Sequence, residues 1–213
     1  MNWFVSIDLY CERTCLGFWA EPLNALSNIA FFIAGFSGLY TAIKFKKNDS
    51  AVLTLCVLSI LIGIGSFLFH TFANLWSSFA DVIPIWSFVA LYIVTVIIKL
   101  TGKSFFKVGG IAITVTAIII SIVWIMSSGS ATQTEPSSDM LNGSIQYLPA
   151  LIAIWYFAIA SWKKKIDIHN WFIASAITFM LSLVFRTIDL HVCNFFPFGT
   201  HFLWHICNGI MIA

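Results

Sequence analysis

The chain has 213 residues, 60% of them hydrophobic and only 9% charged, against the roughly 25% charged residues of a soluble domain. That composition excludes a soluble globular class and makes the chain an integral membrane protein. The net charge of +2 says little about partners; with no basic stripe or binding motif in the sequence, nucleic acid is not an expected partner.

The N-terminal arm, residues 1–21, lacks a basic segment followed by an apolar run and a small-residue cleavage site, so no cleaved signal peptide is expected. A bilayer core takes about 20 apolar residues per helix. Uncharged runs of suitable length recur at Pro22 to Ile43, Ala51 to His70, Val82 to Ile98, Val108 to Met126, Ser144 to Trp162 and Ile168 to Phe185. The run Phe198 to Ala213 is short for a span and is counted as a seventh helix; the polar stretch Ser127 to Gly143 reads as a loop. The expectation is an all-α, seven-helix membrane bundle forming one domain over residues 1–213.

Lysine placement orients it. Lys44, Lys46 and Lys47 follow the first span, Lys99, Lys103 and Lys107 separate the third from the fourth, and Lys163, Lys164 and Lys165 follow the fifth. All fall on loops of one side, which the positive-inside rule makes cytoplasmic. The N-terminus is then outside and the C-terminus inside, in a bacterial cytoplasmic membrane or an endomembrane. In that frame Ser66 and His70 lie near the outer end of the second span, Asp81 opens the third, and His201 and His205 occupy the first turns of the seventh. Asp8, Glu12 and Glu21 precede the first span on the same side.

His201 and His205 are four residues apart, so a helix projects both imidazoles from one face, roughly 6 Å apart. Ionisable groups in a membrane helix are costly and normally face the bundle interior with a partner. His70, His201 and His205 can therefore meet at one level, giving the three protein ligands and one open position used by catalytic zinc. Histidine hydrogen bonds that glue helices together, or a haem held by two histidines, are the competing readings. Asp81 suits a general base that takes a proton from water and returns it to a leaving group; before Val82-Ile83-Pro84 it also suits a helix N-cap. Ser66, one turn before His70, could donate to a developing oxyanion, or simply bond back to its own helix. Arg186 and Asp189, three apart, suit an ion pair on one helix face, and His169 and His191 read as loop or interface residues.

Gly65-Ser66-Phe67-Leu68-Phe69-His70, followed by Asp81-Val82-Ile83-Pro84, resembles a signature of the alkaline ceramidase family. So do Tyr10-Cys11-Glu12 with Ala20-Glu21-Pro22-Leu23-Asn24-Ala25-Leu26-Ser27-Asn28, then Phe185-Arg186-Thr187-Ile188-Asp189, and Gly199-Thr200-His201-Phe202-Leu203-Trp204-His205. The resemblance spans essentially the whole chain. It implies a seven-helix hydrolase of the wider group that includes the adiponectin receptors, cleaving a lipid amide such as ceramide to a fatty acid and a sphingoid base. By the same analogy His70, His201 and His205 hold Zn2+, Asp81 manages protons and Ser66 steadies the oxyanion. It further implies Ca2+ on the acidic arm, at Glu12, Glu21 and Asp8, although Asp8 is one residue out of step and Thr14 stands where an Asn is usual. A solvated acidic arm is the competing reading. Cys11 and Cys193 match a disulfide pair in the resemblance, with Cys15 a rival; Cys56 and Cys207 read as free thiols within helices. Membrane lipids and a lipid amide are the expected partners, with no protein partner, and a seven-helix receptor that keeps a structural metal is the alternative function.

Overall fold

The computed structural model describes residues 2–46, 49–104, 107–110 and 141–213. These residues are helical, with no strand among them. Of the expected fourth span, Val108 to Met126, only Val108 to Gly110 are described, and they are helical; the rest of it and most of the loop after it lie outside the described residues.

The first span is two helices, α1 (Pro22–Ser27) and α2 (Ile29–Lys44), meeting at Asn28. Pro22 starts α1 at a position where a missing N–H costs nothing. The second span is α3 (Ser50–Phe72), capped by the Asp49 carboxylate, which accepts from Ala51 N and Val52 N. The third, α4 (Leu75–Thr101), closes on Gly102 at φ +67°. A 3-10 turn, Ser144–Tyr147, leads into α5 (Leu148–Lys163), which precedes α6 (His169–Val192) and α7 (His201–Ile212). Among the described residues, five helical stretches are long and apolar enough to cross a membrane. The twelve residues of α7 rise only about 18 Å, short of a bilayer core.

The boundary that bears most on the site differs from the sequence reading, and it has a local cause. α4 begins at Leu75, two turns before the expected Val82, because Asn74 and Ser77 form a capping box: Asn74 Oδ1 accepts from Ser77 N at 3.2 Å and Ser77 Oγ from Asn74 N at 3.1 Å. Asp81 is therefore not a cap but a side chain in the second turn, and Pro84 sits inside the helix. α6 runs on to Val192, past the expected apolar end at Phe185, and carries Arg186 and Asp189 as expected.

Small residues let the backbones approach, as in membrane bundles generally. A Cβ on Gly35 would stand 2.7 Å from the Cys56 carbonyl, and one on Gly209 would strike Ala30, so α2 is held close to both α3 and α7. The apolar core between α5, α6 and α7 is built from Ala150, Ile154, Ala158, Ala176, Phe179 and Trp204, closed by Tyr147. Large apolar side chains such as Ile33, Phe36, Ile152 and Ile177 point outward, as lipid-facing surface requires.

The two ends of the bundle differ. At one, Lys99 Nζ bonds Asp49 Oδ2 at 2.6 Å and Lys164 Nζ donates to Leu100 O at 2.8 Å, gathering the lysine-bearing loops. At the other, the N-terminal arm crosses the α3–α4 corner: Ile7 N donates to Ala73 O, Leu75 N to Val5 O and Trp76 N to Trp3 O. The histidines lie beneath this arm.

Candidate metal centre

His70 projects from the last turns of α3, and His201 and His205 from the first two turns of α7. All three are at most 2% exposed. Their ring centroids are 5.2 Å (His70–His201), 4.8 Å (His70–His205) and 4.6 Å (His201–His205) apart. One nitrogen of each lies within 4.8 Å of the others.

The outer nitrogens fix the rings. His70 Nδ1 meets Glu21 Oε2 at 2.5 Å, and His205 Nδ1 meets Ser27 Oγ at 2.8 Å. Holding Nδ1 in this way leaves His70 Nε2 facing inward, buried and without a partner among the described residues. A buried polar nitrogen left bare costs about 1–3 kcal/mol, a cost that a cation at the centre would remove. Three imidazoles with carboxylate and hydroxyl behind them match the donor set and the orienting outer contacts of a zinc site, so the residues present fit the ion. Tyr10 stacks on His201 at 3.7 Å between centroids, and its hydroxyl accepts from Arg186 Nη1 at 3.0 Å. Burial pushes the Tyr10 phenol well above its ordinary value.

Ser66 and Asp81 adjoin this cluster. Asp81 interacts electrostatically with the Ser66 side chain, His70 and Arg186; its Oδ1 is shut off from solvent and has no donor among the described residues. Gly65 permits the approach, because a Cβ there would collide with the Ala80 carbonyl oxygen and stand 3.1 Å from Asp81 Cα. Gly65→Ala is accordingly expected to push α4 away from α3, costing about 1–3 kcal/mol of stability. A shift of about 1 Å between reacting groups costs on the order of 100-fold in rate, so turnover should fall by about that factor while a thermal melt shows the smaller loss.

Glu12 and Glu21 of the acidic arm are buried rather than solvated. Glu12 accepts from Leu23 N at 2.7 Å and Asn24 N at 2.8 Å, tying the arm to the start of α1; burial raises its carboxyl, the two N–H groups acting against it. Glu21 takes Arg13 Nε on one oxygen and Asn24 Nδ2 beside His70 on the other. Burial acts to raise the Glu21 carboxyl, but His70, Asn24 and Arg13 outweigh it, and it titrates below its ordinary value. Asp8 is exposed, away from this pair.

Cys11 and Cys193 form a disulfide with Cα atoms 5.5 Å apart; Cys15, Cys56 and Cys207 are free. Beside it, fully buried Asp189 accepts from Cys11 N (3.0 Å), Thr200 N (2.7 Å) and His201 N (2.9 Å). One carboxylate on α6 thus caps α7 and holds the arm. Its oxygens are therefore engaged, and the expected Arg186–Asp189 ion pair is absent among the described residues. Arg186 instead lies 5.5–5.7 Å from the rings of Tyr10, Tyr147 and Trp204. Gly199, at φ +63°, leaves room for this clamp, since a Cβ would strike Asp189 Oδ1. Asp189→Ala is expected to strip three buried N–H groups of their acceptor and to cost about 3–5 kcal/mol, read as a lowered thermal midpoint in detergent.

Residues 6–213 match the model of the Ceramidase family. The chain belongs to that family. No curated protein shows a significant match to it. Ceramidase family membership, with five apolar spanning helices, supports a multi-pass membrane hydrolase that acts on the amide bond of ceramide. In this chain, Glu21 and Ser27 are the contacts that residue patterns alone do not assign to the histidines. Ser27 sits 178 residues from its partner His205, and the only sequence signal was its place in the family-like Asn-Ala-Leu-Ser-Asn run.

Proposed function

We propose that this chain is a zinc-dependent amidase that hydrolyses ceramide or a ceramide-like N-acyl lipid to a fatty acid and a free sphingoid base. The observation that carries the zinc reading is the bare, buried His70 Nε2 beside His201 and His205, with Nδ1 already held by Glu21. His70, His201 and His205 would hold the ion. Bound there, it supplies Lewis acidity, polarising the amide carbonyl and making water a nucleophile near neutral pH.

Asp81 accepts the proton of the attacking water on its carboxylate and passes it to the leaving nitrogen, so the amine departs neutral. Ser66 donates its hydroxyl proton in a hydrogen bond to the carbonyl oxygen as charge develops there. Glu21 and Ser27 keep two imidazoles in register. A cavity of about 710 Å³ is lined by Phe31, Ile62, Tyr92, Phe179, Trp204 and Met211; the Phe31 ring in its wall lies 6.2 Å from that of His205, and its apolar wall suits an acyl chain.

The whole chain acts as one seven-span domain in this reading, N-terminus outside and C-terminus cytoplasmic. The lysine loops at the end opposite the histidines support that orientation and set the site near the outer interface, where lipid amide and water both have access. Mass spectrometry of total lipids incubated with purified protein tests the function. A matched loss of amide lipid and gain of free base is expected; metal retention with no amide lipid consumed across a panel of acyl lipids would favour a receptor instead.

A further inference from the structure

The family resemblance assigns calcium to Asp8, Glu12 and Glu21, and calcium requires about six to eight oxygen ligands. The arm of this chain does not supply them. Asp8 is exposed. Both Glu12 oxygens accept backbone N–H groups, and both Glu21 oxygens already face donors. The space between Glu21 and the end of α3 is filled by the buried Arg13 side chain. Its Nε bonds Glu21 Oε1 at 2.5 Å, Nη2 donates to the His70 carbonyl at 3.0 Å and Nη1 to the Cys15 carbonyl at 3.4 Å. A carboxylate and two carbonyls converging on one positive centre are what a hard cation would use, and here a guanidinium uses them. Among the described residues, the unpartnered buried amide oxygens at the start of the first span are Asn24 Oδ1 and Asn28 Oδ1, two neutral oxygens, far fewer than calcium's ligand set.

We propose that Arg13 is the built-in cation of the N-terminal arm: its guanidinium stands in for calcium, and this protein neither binds nor needs that ion. Arg13 is a positioning residue. By neutralising Glu21 and gripping the His70 carbonyl, it holds the Glu21 carboxylate on His70 Nδ1, linking the arm to the last turn of α3. A planar fork suits this three-acceptor geometry, and lysine, with a point charge, does not reproduce it. The positioning part rests on the histidine site proposed above; the calcium part does not.

The test uses the full chain in detergent. Equilibrium dialysis against radioactive calcium at about 1 mM, the weak end of the range for calcium modules, is expected to show no stoichiometric binding. The thermal midpoint should be unchanged between that concentration and a calcium chelator. Stoichiometric binding, or a midpoint that rises with calcium, would overturn the proposal. Arg13→Met should weaken zinc affinity about 10- to 100-fold, as loss of an outer contact to a ligand histidine does, with Arg13→Lys recovering only part of it. Zinc affinity in Arg13→Met equal to wild type would also overturn it. A wild-type protein without zinc would count against the histidine site while leaving the calcium result readable.

Discussion

Asp81→Asn is expected to lower amide hydrolysis by about 10²- to 10⁴-fold while the protein still folds and keeps its metal. The argument rests on position. Asp81 is carried on the second turn of α4, interacts electrostatically with Ser66 and His70, and its Oδ1 has no donor among the described residues. A carboxylate used as a cap would have its oxygens on backbone N–H groups, as Asp49 and Asp189 do. Asn74 already caps α4, so that duty is not available to Asp81. Asparagine keeps the size and polarity of the side chain but cannot accept a proton at neutral pH. The change should therefore appear in turnover, with little movement of the thermal midpoint or of metal content. Turnover within a few-fold of wild type would remove Asp81 from the chemistry.

His201→Ala is expected to lose the metal and with it all activity above background. Among the described residues three nitrogens converge on the centre, so deleting one leaves two, fewer than the three protein ligands of catalytic zinc sites. The truncation also empties the space beneath the Tyr10 ring, which stacks on this imidazole. A loss of about 2–4 kcal/mol of stability should accompany it, as for other large-to-small changes in a packed interior. Ser27→Ala makes a milder comparison. It removes only the hydroxyl that orients His205, and metal affinity should fall about 10- to 100-fold. Metal analysis of the two variants beside wild type separates a ligand from its support.

Much of this arrangement is legible in the chain itself because membrane helices announce themselves through apolar length and because the i, i+4 spacing of His201 and His205 is local. The partners are not local. Glu21 lies 49 residues from His70, Arg13 lies 57 from it, and Asp189 reaches back 178 residues to Cys11. No periodicity encodes such contacts: by its sequence context Glu21 resembles a metal-binding acid of the arm, and nothing local marks Arg13 as its partner. The early start of α4 was hidden for a different reason. Polar Asn74, Ser77 and Ser78 look like a turn by composition, yet Asn74 and Ser77 satisfy each other's backbone and begin a helix. The same misreading made Asp81 resemble a cap and Pro84 a first-turn proline. Arg186 and Asp189 show the limit of spacing arguments: they are three apart on one helix, but the three N–H groups on Asp189 come from the arm and α7.

Zinc K-edge absorption spectroscopy on the purified, active protein tests the central claim most directly. Three histidines from α3 and α7 predict one zinc per chain, four-coordinate, with nitrogen and oxygen neighbours at about 2.0–2.1 Å and no sulfur. Active protein without zinc, or a spectrum dominated by sulfur ligands at about 2.3 Å, would contradict it.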